Sequence, residues 1–223
     1  LSFDGVDDYV EINSESLDIA GTKLTICAFV KVTGEIHENS GIIAKTGNDY
    51  PWGGYQIIWD RNQQKFLFQV ANESTWQNVA PDITSELGNL YFVAGVYDSD
   101  TGSATIYIDG EPRGTTAVSG NIRSVSSPVQ IGLNVESYFN GLIDKISIWD
   151  DALTPEQINS LYNNQNFEIQ DGQLGYWKFN AGSGNTLYDH SGNGNHGTIH
   201  GATWVENIEG CTHPNATNYD ETA

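Results

Sequence analysis

Apolar and polar residues alternate with a period of two along most of this chain, the pattern of β-strands with two different faces. The stretches Leu24–Lys31 and Lys65–Val70 both alternate in this way. Leu90–Tyr97 is instead an almost continuous apolar run, which predicts a central strand covered on both faces. Asp109-Gly110 follows the predicted strand Ala104–Ile108 and is a hairpin signal. Further strands are predicted at Gly41–Lys45, Tyr55–Asp60, Val129–Leu133 and Leu142–Trp149.

A single helix is predicted after these strands. Thr154 is a suitable N-cap, Pro155 suits the first helical position, and Gln157 completes a capping box. Ile158 and Leu161 share one face of the helix, which we expect to cover one end of the folded strands. Many short strands with one helix predict an antiparallel two-sheet β-sandwich.

The segment Leu174–Trp204 has a different composition, with a strand on either side of a glycine-rich loop. Oxygen-bearing side chains occupy every second position of that loop, at Asp189, Ser191, Asn193 and Asn195. Glycines between them permit a tightly curled backbone. Short oxygen ligands turned toward one point suit a hard cation such as calcium.

Several stretches resemble laminin-G-like, concanavalin A-like modules of bacterial extracellular proteins. They are Leu1–Val10, Leu24–Lys31, Asn140–Ile158 and GYWKFNAGSGNTLYDHSGNGNHGTIHGATW at Gly175–Trp204. The resemblance implies an all-β fold: a two-sheet antiparallel jelly-roll sandwich over residues 1–206 with one short helix. It also implies a secreted or cell-surface location.

The order of these stretches differs from that of the family. Its glycine-rich opening normally precedes the element matched by Leu1–Val10, whereas here it closes the module. We therefore expect a circularly permuted sandwich, the alternative being one truncated module followed by the start of another. Residues 207–223 resemble a linker and the start of a short GCT-type repeat of secreted marine proteins.

The formal net charge is −20 over 223 residues. Such a surface repels a phosphate backbone, so we expect no nucleic-acid partner, and it attracts divalent cations. No run of 18 apolar residues is present, so we expect no membrane insertion. Cys27 and Cys211 are expected to be unpaired, although a bridge between them remains an alternative.

Four residues are candidate calcium ligands: Asp4, Asp144, Asp189 and Asn193. Asp144 alternates with apolar residues, so its carboxylate is predicted to face the core and to require a cation or hydrogen-bond donors. Asp4 lies in a turn with Asp7 and Asp8. Turn formation by Asp4 and structural hydrogen bonding by Asp144 are the alternatives.

Four aromatic residues are candidate ligand-binding groups: Trp52, Tyr50, Trp76 and Tyr138. Pro51 and Gly53-Gly54 interrupt the strand pattern around Trp52, which predicts that its ring lies in a loop. Flat rings stack on the apolar faces of sugars, and a neutral glycan suits an acidic protein better than an anionic one. The alternative is that these rings close the open ends of the sandwich.

These observations predict a non-catalytic, calcium-stabilised binding module for carbohydrate, monomeric and part of a larger multidomain protein. An adhesive or structural spacer that binds protein is the alternative. A glycoside hydrolase or lyase is less favoured, because the E-x-D-x-x-E pattern of concanavalin A-like hydrolases is absent.

Overall fold

A computed structural model describes residues 1–34, 37–47, 53–135, 137–164 and 171–205. They form two large antiparallel sheets, a short hairpin, a 3₁₀ turn at Glu15–Leu17 and one α-helix. The elements are β1 (Ser2–Asp4), β2 (Tyr9–Ile12), β3 (Lys23–Val32), β4 (Ser40–Thr46), β5 (Gly54–Asp60), β6 (Lys65–Ala71), β7 (Trp76–Val79), β8 (Leu90–Asp98), β9 (Ser103–Ile108), β10 (Glu111–Ala117), β11 (Val129–Ile131), β12 (Leu133–Asn134), β13 (Ser137–Tyr138), β14 (Asn140–Trp149), α1 (Pro155–Asn164), β15 (Gln173–Trp177), β16 (Thr186–Leu187) and β17 (Gly197–His200).

The seven-stranded sheet has the order β1-β14-β3-β8-β9-β10, and β15 also pairs with β14. The eight-stranded sheet has the order β16-β17-β2-β11-β4-β5-β6-β7. The segment Leu174–Trp204 therefore supplies strands to both sheets, as the sequence predicted. Because β17 pairs with β2 and β15 with β14, this segment completes the sandwich that the first 149 residues begin.

The main core lies between the two sheets. It contains Trp59, Phe68 and Trp177, which are almost completely buried. A Cβ atom on Gly95 would lie 2.3 Å from the ring of Phe68. The absence of a side chain at position 95 therefore allows this ring to sit against the opposite sheet.

A second apolar cluster covers the outer face of the seven-stranded sheet. Leu153, Ile158 and Leu161 pack there against strand residues such as Phe92 and Trp149. The prediction that the helix covers one end of the sandwich was therefore wrong. The outer face of the sheet is itself apolar, since β3 and β8 bury side chains on both faces, and this face is what the helix covers.

The start of the helix agrees with the predicted capping box. The Thr154 N–H donates to Oε1 of Gln157 at 2.8 Å, and the Gln157 N–H donates to Oγ1 of Thr154 at 3.3 Å. Within the described part of the chain, no helix is long and apolar enough to cross a membrane. Cys27 is a buried free thiol, and Cys211 lies outside the described residues.

Candidate functional site

A groove of about 480 Å³ lies on the outer face of the eight-stranded sheet. We call it the amide groove, because two glutamines and an asparagine line it. Its described lining residues are Thr46, Gly47, Gln56, Gln69, Trp76, Asn134 and Val135. Strand alternation places them there: Tyr55 and Ile57 face the core on either side of Gln56, so the Gln56 side chain faces outward.

A chain of amides, two of which line the groove, crosses three strands here. Gln56, Gln69 and Asn78 are direct cross-strand neighbours in β5, β6 and β7. Nε2 of Gln56 donates to Oε1 of Gln69 at 2.6 Å, and Nε2 of Gln69 donates to Oδ1 of Asn78 at 3.3 Å. Gln56 is 6% exposed, and its Oε1 accepts no hydrogen bond from any described residue. A buried acceptor without a donor is unfavourable, so this atom favours a ligand that donates a hydrogen bond.

Trp76 supplies the aromatic wall of the amide groove. It is the first residue of β7, is half-buried, and pairs with Ala71 in β6. Because Asn78 is two residues further along the strand, Trp76 and Asn78 share the outer face of the sheet. The second wall comes from the β12–β13 hairpin, through Asn134 and Val135. This hairpin lies close against β4, where a Cβ atom on Gly41 would lie 2.4 Å from the Leu133 carbonyl oxygen.

Of the four predicted ligand-binding aromatics, the structure places Trp76 in the groove. Tyr138 lies in the hairpin that forms the second wall, but its ring lies 6.3 Å from that of His37 and it does not line the groove. Tyr50 and Trp52 lie outside the described residues, in the connection between β4 and β5. Gly47, which follows β4, is a lining residue.

The amide groove is uncharged over its described lining residues. One indole ring offers a flat apolar face, and the amides beside it offer both donors and acceptors. A ligand with hydroxyl groups around a partly apolar ring would match both features. The described lining residues include neither a pair of carboxylates nor a nucleophile beside a base.

Sequence reasoning missed the amides. Each is an ordinary outward-facing strand residue, so the period-two pattern marks Gln56, Gln69 and Asn78 as polar positions only. Their joint significance depends on the pairing register of three strands, which places them side by side.

A second feature is a cluster of three carboxylates in the turn after β1. Oxygen atoms of Asp4, Asp7 and Asp8 all lie within 4.8 Å of one another. Oδ2 of Asp8 accepts from the Asp4 N–H at 2.9 Å, and Oδ1 of Asp4 accepts from the Val6 N–H at 2.8 Å. Asp8 is buried, and this burial, together with the charges of Asp4 and Asp7, raises its pKa.

Asp144 does not join this cluster and does not face the core. The pairing of β14 with β3 shifts between Asp144 and Ser147, and Lys145 has a φ of 48°. This β-bulge reverses the side-chain alternation, so Ile143 and Ile146 both face the main core while Asp144 faces the outer side. The predicted core-facing carboxylate was wrong for this reason. Partial burial raises the pKa of Asp144.

Asp189 and Asn193 also lie apart from the cluster and have structural partners. The two carboxylate oxygens of Asp189 accept four hydrogen bonds, from the N–H groups of Tyr176, Ser191 and Asn195 and from the Ser191 hydroxyl. Nδ2 of Asn193 donates to the carbonyls of Gln173 and Leu174. The side chains of this loop therefore fix its own backbone and tie it to β15.

The geometry defines a class: an antiparallel two-sheet jelly roll with a polar groove on the solvent face of one sheet. Residues 4–159 match the concanavalin A-like lectin/glucanases superfamily, and the chain belongs to that superfamily. No curated protein matches the chain in sequence.

Several solved structures share the fold. A candidate carbohydrate-binding protein from Bacteroides ovatus is 19% identical with a TM-score of 0.69, covering 90% of this chain and 59% of its own. The chain thus spans less than two thirds of that protein. A SAP-like pentraxin from Limulus polyphemus is 21% identical with a TM-score of 0.53, covering 72% of this chain and 80% of its own. Domain 4 of the arabinanase AbnA from Geobacillus stearothermophilus, in complex with arabinotriose, is 20% identical with a TM-score of 0.51, covering 65% and 68%.

Proposed function

We propose that this chain is a non-catalytic module that binds neutral glycans in the amide groove, within a larger secreted or cell-surface protein. The observation that carries the proposal is the position of Trp76 beside the hydrogen-bonded amides of Gln56 and Gln69. A sugar ring that stacks on the indole places its hydroxyls against these amides. A hydroxyl both donates and accepts, so it pairs with either end of a side-chain amide.

The preference for a neutral ligand follows from charge. The chain carries a formal net charge of −20, and none of the described lining residues is basic. An anionic glycan would therefore meet a repulsive field without a local cationic partner. Binding of a neutral glycan should be insensitive to salt, because no charge pair would be screened.

The relatives are consistent with this proposal. The Bacteroides ovatus structure is described as a candidate carbohydrate-binding protein, and the arabinanase domain was solved with arabinotriose. Both resemble this chain in fold only. Their described carbohydrate binding supports a carbohydrate as the class of ligand, and experiment must identify the particular sugar.

We propose in addition that calcium binds at Asp4, Asp7 and Asp8 and stabilises the fold. Three carboxylates within 4.8 Å of one another repel, and one of them is buried. A divalent cation would relieve both the repulsion and the desolvation, and carboxylate oxygens are the ligands that calcium prefers. Asp4 is retained from the sequence-based set, whereas Asp144, Asp189 and Asn193 have the structural placements described above.

An array of neutral and acidic polysaccharides tests the proposed function. We expect retention on neutral polysaccharides at both low and high salt, and loss of retention for Gln69→Ala. Gln77→Ala is the matched control, because Gln77 pairs with Val70 and lies on the other side of β7 from the groove. The absence of binding to any polysaccharide would favour the alternative, a protein-binding adhesive or spacer module. Release of reducing sugar from a bound polysaccharide would favour the hydrolase or lyase.

A further inference from the structure

We infer that the β12–β13 hairpin closes the amide groove on one side, so that the groove takes the terminal sugar of a glycan chain, with Val135 as an apolar contact to that sugar. This inference rests on the proposed function and adds which part of the ligand is bound. Its basis is the surface around the groove, which is covered on the side of β4 and open at β7.

The hairpin covers the outer face of β4 beside the groove. Ala44 pairs with Gln56 and faces outward as Gln56 does, yet it is only 2% exposed. A Cβ atom on Gly41 would lie 2.4 Å from the carbonyl oxygen of Leu133, so the hairpin backbone lies directly on this strand. A ligand in the groove therefore cannot continue over Ala44 toward β11.

Hydrogen bonds fix the hairpin at its base. The Gly132 N–H donates to the Ile42 carbonyl at 3.1 Å, and the Phe139 N–H donates to the Gly132 carbonyl at 2.9 Å. The ring of Phe139 is buried in the main core. Nδ2 of Asn134 donates to the Asn39 carbonyl at 3.4 Å. With these anchors, the hairpin is a fixed wall of the groove.

The outward residues before and after the groove along the strands are also covered. Ile58 and Leu67 are the next outward pair along β5 and β6, and both are buried. In the opposite direction, Ala71, the cross-strand partner of Trp76, is buried. Asn78, in the last strand of the sheet, is exposed. Across the strands, the groove therefore opens at β7 and is closed at β4.

This shape suits the end of a chain. Neighbouring strands lie about 4.8 Å apart, so the three intervals from β4 to β7 span roughly 14 Å. A glycan that enters over β7 would meet the hairpin with its terminal sugar above Gln56. That sugar carries a hydroxyl that an interior unit uses in its glycosidic link. A hydroxyl can donate to Oε1 of Gln56, the buried acceptor that receives no hydrogen bond from any described residue.

Val135 is an independent sign that the hairpin contacts a ligand. It lines the groove, is 63% exposed and has a φ of 56°. A β-branched residue at positive φ is strained, and strained residues are concentrated at binding sites. Exposure of an apolar side chain is also unfavourable in the free protein. Contact with the apolar face of a sugar would bury this side chain.

Titration calorimetry with neutral linear cello-, laminari- and arabino-oligosaccharides of two to eight units tests the binding of chain ends. We expect the octasaccharide of the bound series to match its trisaccharide within about twofold, because each chain has one end of the bound kind. The linear polysaccharide of that series, cut by brief endo-hydrolysis to about tenfold more chain ends, should retain about tenfold more protein at equal mass.

Val135→Asn tests the hairpin contact. It removes the apolar side chain, and asparagine tolerates positive φ. We expect trisaccharide binding to weaken about fivefold while the melting temperature does not fall below that of the parent. Leu87→Asn is the matched control, because Leu87 is an exposed apolar residue outside the described groove lining, and it should bind like the parent.

The outcomes separate this inference from the proposed function. Affinity that rises steadily with length, or retention that cutting leaves unchanged, would show binding to interior units and overturn the inference, while the proposed function stands. A folded Val135→Asn variant with the affinity of the parent would overturn the role of Val135. If no oligosaccharide and no neutral polysaccharide binds, the proposed function is wrong and the inference is wrong with it.

Discussion

At the scale of single residues, the molecule uses side-chain amides and carboxylates for two different tasks. Gln56 and Gln69 lie on the outer face of the eight-stranded sheet, where one buried acceptor remains without a donor among the described residues. Asp189 is the opposite case, because both of its oxygens accept hydrogen bonds, from the Tyr176 N–H of β15 and from donors of its own loop. Unsatisfied polar groups point to ligands, and satisfied ones hold the fold.

Asp189→Ala should destabilise the protein by about 3 kcal/mol, because it leaves several buried N–H groups without an acceptor. We expect the loss to be the same with calcium and with chelator, as measured by urea unfolding. Asn193→Ala, which removes the hydrogen bonds that one amide group donates to the carbonyls of Gln173 and Leu174 and to the Ser191 hydroxyl, should cost about 1 kcal/mol. A loss for Asp189→Ala that appears only when calcium is present would show that Asp189 binds the ion.

Asp8→Asn should raise the melting temperature in chelator at neutral pH. Burial is the main cause that raises the pKa of Asp8, so the folded state binds a proton more readily than the unfolded state. The ionised group therefore lowers stability above its folded pKa. The advantage of the variant should shrink as the pH falls through that pKa toward the unfolded value.

Calcium should raise the melting temperature of the parent and should raise that of Asp8→Asn much less. Asp82→Asn removes the same charge at an exposed site away from the cluster, and it should keep the full response to calcium. An equal calcium response in the parent and in Asp8→Asn would contradict the proposed ion site.

At the scale of elements, β14 shows how one residue changes the meaning of a pattern. Lys145 adopts a left-handed conformation within a β-bulge. Because of the bulge, the core-facing residues of β14 are Ile143 before it and Ile146 after it, three positions apart instead of two. A strict period of two assigns Asp144 to the wrong face. The bulge could not be predicted from the residue type at this position, because lysine has no preference for positive φ.

Lys145→Val should be less stable than Lys145→Gly by at least about 1 kcal/mol, since a β-branched residue is strained at this φ and glycine is not. Both variants lose the ammonium group that lies 5.5 Å from the ring of Phe29, so the comparison isolates the backbone. Chemical unfolding of the pair measures the difference. Equal stability, or a more stable valine variant, would contradict the conformation assigned to Lys145.

The strands themselves were predictable because their physical signals are local. The alternation in Leu24–Lys31 correctly separates a core face from an outer face, and the apolar run Leu90–Tyr97 correctly predicts a strand covered on both sides. The location of the helix was not predictable from its own residues. Its apolar stripe fits either a sandwich end or an apolar sheet face, and only the outward residues of several strands together decide between them.

At the scale of the whole molecule, the chain closes one sandwich from its two ends. β17 adds to the eight-stranded sheet beside β2, and Thr203 forms a bridge with Ser2. Trp177, fully buried between the sheets, comes from the same late segment. The family resemblance made this closure predictable, whereas the amide groove depends on the pairing register of β5, β6 and β7 and could not be predicted from the local pattern of any one strand.

A fragment of residues 1–166 should therefore be insoluble or unfolded, because it loses Trp177 from the core and exposes the edges of β2 and β14. Circular dichroism and thermal melting of the fragment check this expectation. A soluble fragment with a cooperative melting transition would show that the late segment is dispensable.

The central claim is that the amide groove binds a neutral glycan through Trp76, and titration calorimetry of three proteins tests it most directly. The parent, Trp76→Ala and Tyr188→Ala are titrated with the neutral polysaccharide that the array identifies. Tyr188 is an exposed aromatic residue outside the described groove lining and is the matched control. We predict that Trp76→Ala stays folded and binds at least about tenfold more weakly, while Tyr188→Ala binds like the parent. A folded Trp76→Ala variant with the affinity of the parent would contradict the account.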